Sequence, residues 1–493
     1  MNEVPAFPLR VRSALGNERL HVALGRATEA LRSRRSAALG SLEGFDEVRD
    51  LARKIKMELL ADLSTHLQRF EERLVANGVT VHWAETGADA NRIVAEIAKG
   101  HGVRRIVKSK SMATEETHLN HALQREGMEV VETDLGEYIV QLAEDRPSHI
   151  ILPIIHLTRE DVGDVMHRRI GVPRTGDPQT LAAYARAKLR EEFLGADMGI
   201  TGANFGVVET GTICLVTNEG NGRMVTTLPR VHVAVMGIEK LVPTLADLDA
   251  FLKLLARSAT GQKITTYTTL IRGPRRPGDE CGPEAMHVVL LDNGRSRILS
   301  GENAEILGCI RCGACLNACP IYKSIGGHAY GDTYPGPIGA IVTPGLRGLH
   351  GWSDLPAAST LCGACRDVCP IRLDIPRMLL GLRRDTVREE GAPLSLRMGL
   401  KAFAWIAPRP ALYRAATRMA RALLRFGARD GWLRHAPGLA SGWTRVRDLK
   451  APAAKTFQEL WKERATAASG AGFTPAKRAG GPGGAPQHPP AQR

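Results

Sequence analysis

The chain has 493 residues and a formal net charge of +14, with 43% hydrophobic, 24% charged and 5% aromatic residues. That balance describes a folded protein of two or three domains with an aliphatic core, and it excludes a disordered or collagen-like chain. The most apolar short run, Ile150–Leu157, falls far below the roughly 20 residues of a membrane helix, and the opening stretch Met1–Gly16 lacks the apolar run of a secretory signal. A cytoplasmic protein is expected, at most peripheral to the inner membrane.

Residues 1–78 read as helical. Val48, Leu51, Ile55, Leu59, Leu63, Leu67, Phe70 and Leu74 recur at steps of three and four, which makes one helical face, and Gly78 follows as a stop. Over 79–295 the rhythm changes. Strand-like runs (79–85, 103–109, 128–134, 149–155) alternate with helical ones (89–99 and 115–126, followed by Gly100 and Gly127). Further β-rich runs cover 205–218, 230–237, 263–271 and 287–292. Alternation of this kind predicts an α/β domain built on a largely parallel, covered sheet.

Two candidate catalytic residues stand in this domain. Lys108, with Lys110 and Ser111, follows a strand and precedes a helix, where an open α/β sheet takes ligands and a helix N-terminus favours an anion. An exposed basic loop is the alternative. Glu209 lies between strand-like runs beside Gly211, as a nucleophile or, more simply, a turn residue. The stretch 218–222 is expected to be a hairpin turn in preference to an anion loop.

Nine cysteines are present, seven of them between Cys309 and Cys369. Clustering and an odd total argue for a metal site over disulfides. Cys309, Cys312, Cys315, Cys319 and Pro320 form C-x2-C-x2-C-x3-C-P, the ligand run of two-cluster bacterial ferredoxins, in which the fourth cysteine serves the other cluster. Aligned on its own C-P, the second run places Cys362, Cys365 and Cys369 at positions two to four, with Ser359 at position one. Crossing the ligands predicts two [4Fe-4S] clusters in a ferredoxin-like segment over 296–390. One takes Cys309, Cys312, Cys315 and Cys369. The other takes Cys319, Cys362 and Cys365, its fourth ligand left open between Ser359, Cys281, Cys214, His328, His350 and water, or its fourth iron absent. A C-x2-C pair alone would favour zinc; seven cysteines with both C-P endings favour iron–sulfur. The Gly- and Pro-rich linker 321–345 reads as a loop covering the clusters.

From residue 395 onwards 18 Lys and Arg face 4 Asp and Glu, so residues 1–394 are net neutral. Over 391–466 two helices are expected, broken at Pro408 and Pro410. Arg414, Arg418, Arg421 and Arg425 line one face of the second, with Leu412, Ala416, Met419, Leu423 and Phe426 nearby. Such a stripe suits docking onto an acidic protein or an anionic membrane surface. Aromatic interleaving is too thin for nucleic acid. Residues 467–493 are Ala-, Gly- and Pro-rich and are expected to be disordered.

The combination resembles the lactate utilization protein B family. The residues that carry the likeness are CIRCGACLNACPIY, GGHAYG, YPGPIGAI and LCGACRDVCPIRLDIP, together with VKSKSMATEE, ITGANFGVVETGTI and TNEGNGRM. The resemblance implies a lactate-utilization (LUD) domain related in fold to sugar-phosphate isomerases and CoA transferases (NagB/RpiA-like). It also implies two partners, a cysteine-rich redox protein and a second LUD-domain protein, that together oxidise L-lactate to pyruvate. The family's cluster ligands fall on the seven cysteines named above, and the absent eighth is the family's habit. The expected function is therefore electron transfer within that complex, because no nicotinamide or flavin fingerprint is present. The runner-up is a hydroxy-acid dehydratase using an open iron of the second cluster as a Lewis acid, with Lys108 and Glu209 near it. A module whose clusters are purely structural is the third.

Overall fold

The structure is a computed structural model and describes residues 5–391, 394–436, 441–444 and 447–470. Two compact units follow one another along the chain, the first ending at Glu390 and the second beginning at Gly391.

In the first unit ten strands run in the order β1 (Thr80–Ala84), β2 (Arg105–Lys108), β3 (Glu129–Glu132), β4 (Met198–Thr201), β5 (Phe205–Val207), β6 (Thr212–Thr217), β7 (Val231–Gly237), β8 (Leu241–Val242), β9 (Tyr267–Ile271) and β10 (Ala285–Leu291). Six of them form a sheet ordered β1-β10-β7-β4-β2-β3, and every pairing in it is parallel. The other four form a mixed sheet ordered β8-β5-β6-β9. A strand's side chains alternate between faces, and here the alternation separates two cores. Val231, Val233, Val235, Val289 and Leu291 pack with Ile93, Val94 and Leu123 of the helices on one face. Ala234, Met236, Val288 and Leu290 turn the other way, into a core shared with the N-terminal helices and the cysteine segment. Thr86 and Asp89 close a reciprocal capping box on the first crossover helix, Gly87–Gly100, which satisfies two otherwise orphaned N–H groups. Gly100 is the last residue of that helix and Gly102 turns the chain, at φ +62°.

The N-terminal periodicity is real but belongs to two helices. Phe45–Ala61 and Leu63–Ala76 meet at Asp62, where the backbone leaves the helical region (φ −129°, ψ 42°). Leu59, Leu63, Leu67, Phe70 and Leu74 stay on the buried side.

Three other expectations need correction. Residues 149–155 are not a strand. They form an irregular stretch tied by Ser148 N–H to the Pro153 carbonyl (2.9 Å) and by Ile151 and Leu152 N–H to His149 Nδ1 (2.9 and 3.1 Å). An apolar run with an internal proline lacks the N–H a central strand requires. Residues 218–222 are not a hairpin turn, because Gly220 leads from β6 into the short helix Asn221–Thr227. The linker 321–345 is not a covering loop. It contains the helices Pro320–Ile325 and Gly336–Arg347, with Tyr322, Tyr330, Tyr334, Ile338 and Ile341 buried in the main core. Pro320 just before it and Pro337 within it stand in first turns, where the missing N–H costs nothing, while Pro344 lies inside the second helix.

The second unit, described by itself, holds helices Leu394–Ile406 and Pro410–Phe426, separated around Pro408 and Pro410, and a further helix Phe457–Gly470. Its arginine stripe is partly engaged. Arg421 Nη1 lies 2.9 Å from Glu459 Oε2, Arg418 Nε lies 3.7 Å from Glu459 Oε1, and Arg425 donates to the Pro452 carbonyl. Most of the expected disordered tail, 471–493, lies outside the described residues. No helix among the described residues is long and apolar enough to cross a membrane.

Candidate metal centre

The two cysteine runs fold as copies of one loop. Arg311 and Gly313 flank Cys312 at φ +58° and +74°; Leu361 and Gly363 flank Cys362 at φ +55° and +85°. Left-handed backbone at a non-glycine residue is uncommon and costs on the order of 1 kcal/mol, so its recurrence marks a functional loop. Each glycine opens a short helix, Ala314–Ala318 or Ala364–Asp367. A second regularity runs through both loops: the N–H two residues on faces the ligand atom. Arg311 N–H points to Cys309 Sγ (3.4 Å), Ala314 to Cys312, Ile321 to Cys319, Ala364 to Cys362 and Ile371 to Cys369. Leu361 N–H points to Ser359 Oγ in the same way (3.1 Å). Ser359 thus takes, in the second loop, the place of Cys309 in the first.

The thiols fall into two neighbourhoods that cross between the runs. Cys315 feels Cys309, Cys312 and Cys369, whereas Cys319 feels Cys362, and Cys365 feels Cys319 and Cys362. Cys315 also feels Cys365, so the two neighbourhoods adjoin. Burial, with the neighbouring thiols, pushes Cys312 and Cys365 up to about 12 and Cys369 to about 11. Exposed Cys362 goes the other way, lowered by the Ala364 N–H and Thr360. Burial and proximity hold these thiols neutral on their own, and a soft metal would take them as thiolates.

Their spacing bears on zinc. A closed zinc site, with Zn–S near 2.3 Å, brings its sulfurs to within about 4 Å of one another. Among the described residues no three cysteine sulfurs lie within 4.8 Å of one another. No closed zinc tetrahedron is therefore preformed among the described cysteines.

The surroundings fit an anionic group with sulfur acceptors. Arg311 is buried above the Tyr334 ring (4.8 Å), and its Nε and Nη1 have no hydrogen-bond partner. Tyr330 Oη, facing Cys319 and Cys315, and Arg35 Nε, near Cys312 and Cys369, are likewise buried and unpartnered. Orphaned buried donors of this kind call for an acceptor. Behind Cys309 the charge is mainly positive. Burial and Lys240 lower Lys56 to about 7, against the pull of Glu239 and Cys309. Burial would raise Glu239, but Arg295, Lys240 and Arg311 outweigh it and hold it at about 2. Arg295 bridges Glu239 Oε2 (2.7 Å) and both oxygens of Glu116 (2.9 Å each), and Tyr334 Oη donates to Glu116 (2.7 Å). From the N-terminal helices, Arg49 donates to the Cys369 and Asp367 carbonyls and Arg35 to the Val368 carbonyl. These arginines and Tyr330 were not read from the sequence; Arg311, a charge set between two ligand cysteines, was the available signal. Replacing Arg311 with methionine removes a cation from the first neighbourhood. The reduction potential measured there should fall by on the order of tens of millivolts, with iron content unchanged.

The remaining candidates lie elsewhere. Cys214 is buried in β6, Cys281 and His350 are exposed, and His328 is engaged with Asp145 and the Arg146 carbonyl. Lys108 is not in an exposed basic loop. It is fully buried, 2.7 Å from Glu132 and 3.1 Å from Glu115; burial lowers its pKa, but the two carboxylates outweigh that and raise it. Lys110 pairs with Glu137. Glu209 is an exposed turn residue that accepts the N–H of Leu245. Neither Lys108 nor Glu209 shares a hydrogen bond or ion pair with the cysteine loops.

His149 braces the first loop, with Nε2 3.2 Å from Asn317 Oδ1, and a side chain on Gly313 would press against it. Burial lowers His149 to about 3 and His232 to about 4. The folded chain therefore keeps both neutral while the unfolded chain takes up protons below 6.5. Their stabilisation is complete above pH 6.5 and is lost as pH falls towards 4 and then 3, at about 1.4 kcal/mol per pH unit for each. Urea unfolding between pH 7.5 and 5 should show this slope, and His149→Gln should reduce it by one proton.

Comparison with known proteins agrees with this architecture. Residues 67–291 match the LUD domain, residues 305–373 the 4Fe-4S dicluster domain and residues 384–466 the domain described as "Lactate utilisation protein B, C-terminal". Fold and loops together define an iron–sulfur protein built on an α/β LUD domain. Lactate utilization protein B of Bacillus licheniformis is 43% identical over 460 residues, covering 93% of this chain and 96% of that protein. The Bacillus subtilis (strain 168) protein of that name is 42% identical over 463 residues, covering 94% and 97%. The uncharacterized electron transport protein YkgF of Escherichia coli (strain K12) is 41% identical over 457 residues, covering 93% and 96%. The chain belongs to the lactate utilization protein B family.

Proposed function

We propose that this chain is the iron–sulfur electron-transfer subunit of a complex that oxidises L-lactate to pyruvate. It would hold two [4Fe-4S] clusters, one on Cys309, Cys312, Cys315 and Cys369, the other on Cys319, Cys362 and Cys365 with Ser359 at the remaining corner. When bound, such clusters supply one-electron transfer between partners. The observation that carries the reading is the crossing of the thiol neighbourhoods between two loops of one conformation. The substrate is inferred from the names of the relatives. Within this reading Arg311, Arg35 and Tyr330 direct hydrogen bonds at the first and shared faces, and burial shields the first cluster from water. The second lies nearer the surface at Cys362, the natural point of electron exchange. The LUD domain would share the fold of sugar-phosphate isomerases and CoA transferases. A cysteine-rich redox protein and a second LUD-domain protein are the proposed partners, in the cytoplasm, and the basic C-terminal helix is proposed as a docking surface for an acidic partner or anionic lipid.

A strain lacking the gene should fail to grow on L-lactate, grow on pyruvate, and recover when the gene is returned. Normal growth on lactate in a strain with no other lactate dehydrogenase would overturn the proposal. A second reading, a dehydratase acting through an open iron, draws on the oxygen ligand position at Ser359 beside exposed Cys362. It requires L-lactate or a related hydroxy acid to perturb the spectrum of the isolated chain; an unchanged spectrum leaves electron transfer.

A further inference from the structure

Away from the cysteines, three other side chains converge. Asp145 lies just past the helix Leu135–Ala143, His156 at the end of the irregular stretch, and His328 in the turn after the helix that begins at Pro320. Each offers one ligand atom within 4.8 Å of the others. His156 Nε2 is 3.0 Å from Asp145 Oδ2, and His328 Nε2 is 3.7 Å from Asp145 Oδ1. The two rings meet edge to face with centroids 4.5 Å apart. His328 Nε2 donates to the Arg146 carbonyl (2.7 Å), a bond it would exchange for the ion, and the Arg146 N–H fixes Asp145 Oδ1 at 2.8 Å. The His156 side chain is 9% exposed, and its Nδ1 is buried without a partner. Both histidines also line an open cavity of about 650 Å³.

The geometry points to a second metal site, for one divalent transition ion held by Asp145, His156 and His328. Two imidazoles and one carboxylate with positions left open form a recurrent donor set for zinc and iron(II). A hydrogen-bonded Asp–His pair alone would explain His156. It does not explain why a second histidine, from a segment 172 residues further on, brings its edge to the same carboxylate. Charge sets the character of the open positions. Arg10 and Arg146 also line the cavity, Arg10 already donating to the Ala329 carbonyl. This positive rim opposes a bare dication and suits an anionic oxygen ligand, such as a small carboxylate, completing the shell. The ion would pin the segment after Cys319 to the stretch 145–156.

The test uses the full chain with its clusters in place, dialysed without oxygen against zinc and assayed for zinc, iron and sulfide. The wild type should retain one zinc per chain beyond its iron. His156→Gln and His328→Gln should each weaken zinc binding by about tenfold or more, with iron and sulfide unchanged. If either histidine variant misfolds, Asp145→Asn carries the test, since that carboxylate is exposed and the amide keeps a hydrogen-bonding oxygen. No zinc on the wild type, or equal zinc on wild type and variants, would overturn the assignment and leave a hydrogen-bonded cluster only.

Discussion

Cys312→Ala should cost the protein about half of its iron and acid-labile sulfide, and with them electron flow. Cys312 belongs to the neighbourhood of Cys309, Cys315 and Cys369, which the orphaned donors of Arg35, near Cys312, and of Arg311, near Cys309, adjoin. Removing one thiolate leaves the others buried with no complete acceptor for those donors. The companion substitution Cys362→Ala should behave differently. It removes a thiol of the other neighbourhood at the surface, so the iron that remains should be that of the buried site. The check is iron and sulfide analysis with electron paramagnetic resonance of the reduced proteins, alongside lactate-dependent reduction of an acceptor by the assembled complex. Full activity in Cys312→Ala would sink the proposed electron path. Loss of the same signal in both variants would sink the crossed assignment while leaving iron–sulfur binding intact.

The second large effect is on stability. Arg295 is fully buried and is the shared partner of Glu116 and Glu239, both also buried. Arg295→Met should destabilise the first unit by about 3–5 kcal/mol, because it leaves two carboxylates in the interior without their main counter-charge. Adding Glu116→Gln to that variant should recover part of the loss. Urea unfolding of the three proteins measures both quantities. A loss below about 1 kcal/mol for Arg295→Met would mean that Arg311, Lys240 and water take over the pairing.

What the sequence revealed follows from range. Spacing within a run is a local property, so the ferredoxin-like pattern and the strand and helix alternation could be read directly. The break at Asp62 could not, because the apolar period passes through it unchanged. The run 149–155 is apolar enough for a strand, but its place is decided by His149 and Pro153 and by the loop at Gly313 against which it packs. The linker misled through composition. Glycine and proline usually mark loops, yet here they allow tight approach and first-turn placement in buried helices. Lys108 looked like a free cation because its partners Glu115 and Glu132 become neighbours only in the fold. Asp145, His156 and His328 come together only in the fold for the same reason, and no local spacing joins them.

The arginines of the N-terminal helices have a consequence for the timing of synthesis. Arg49 grips the carbonyl of a cysteine 320 positions later in the chain, and Arg53 holds the carbonyl of Arg372. Neither contact exists until about three-quarters of these 493 residues have left the ribosome. Until then the first helices expose an apolar flank awaiting a distant mate, and long-range closures of this kind form slowly. The second cysteine loop is therefore shaped late, after translation has passed Arg372. Iron delivery to a growing chain would find half a cradle; delivery to the finished one finds both loops already set.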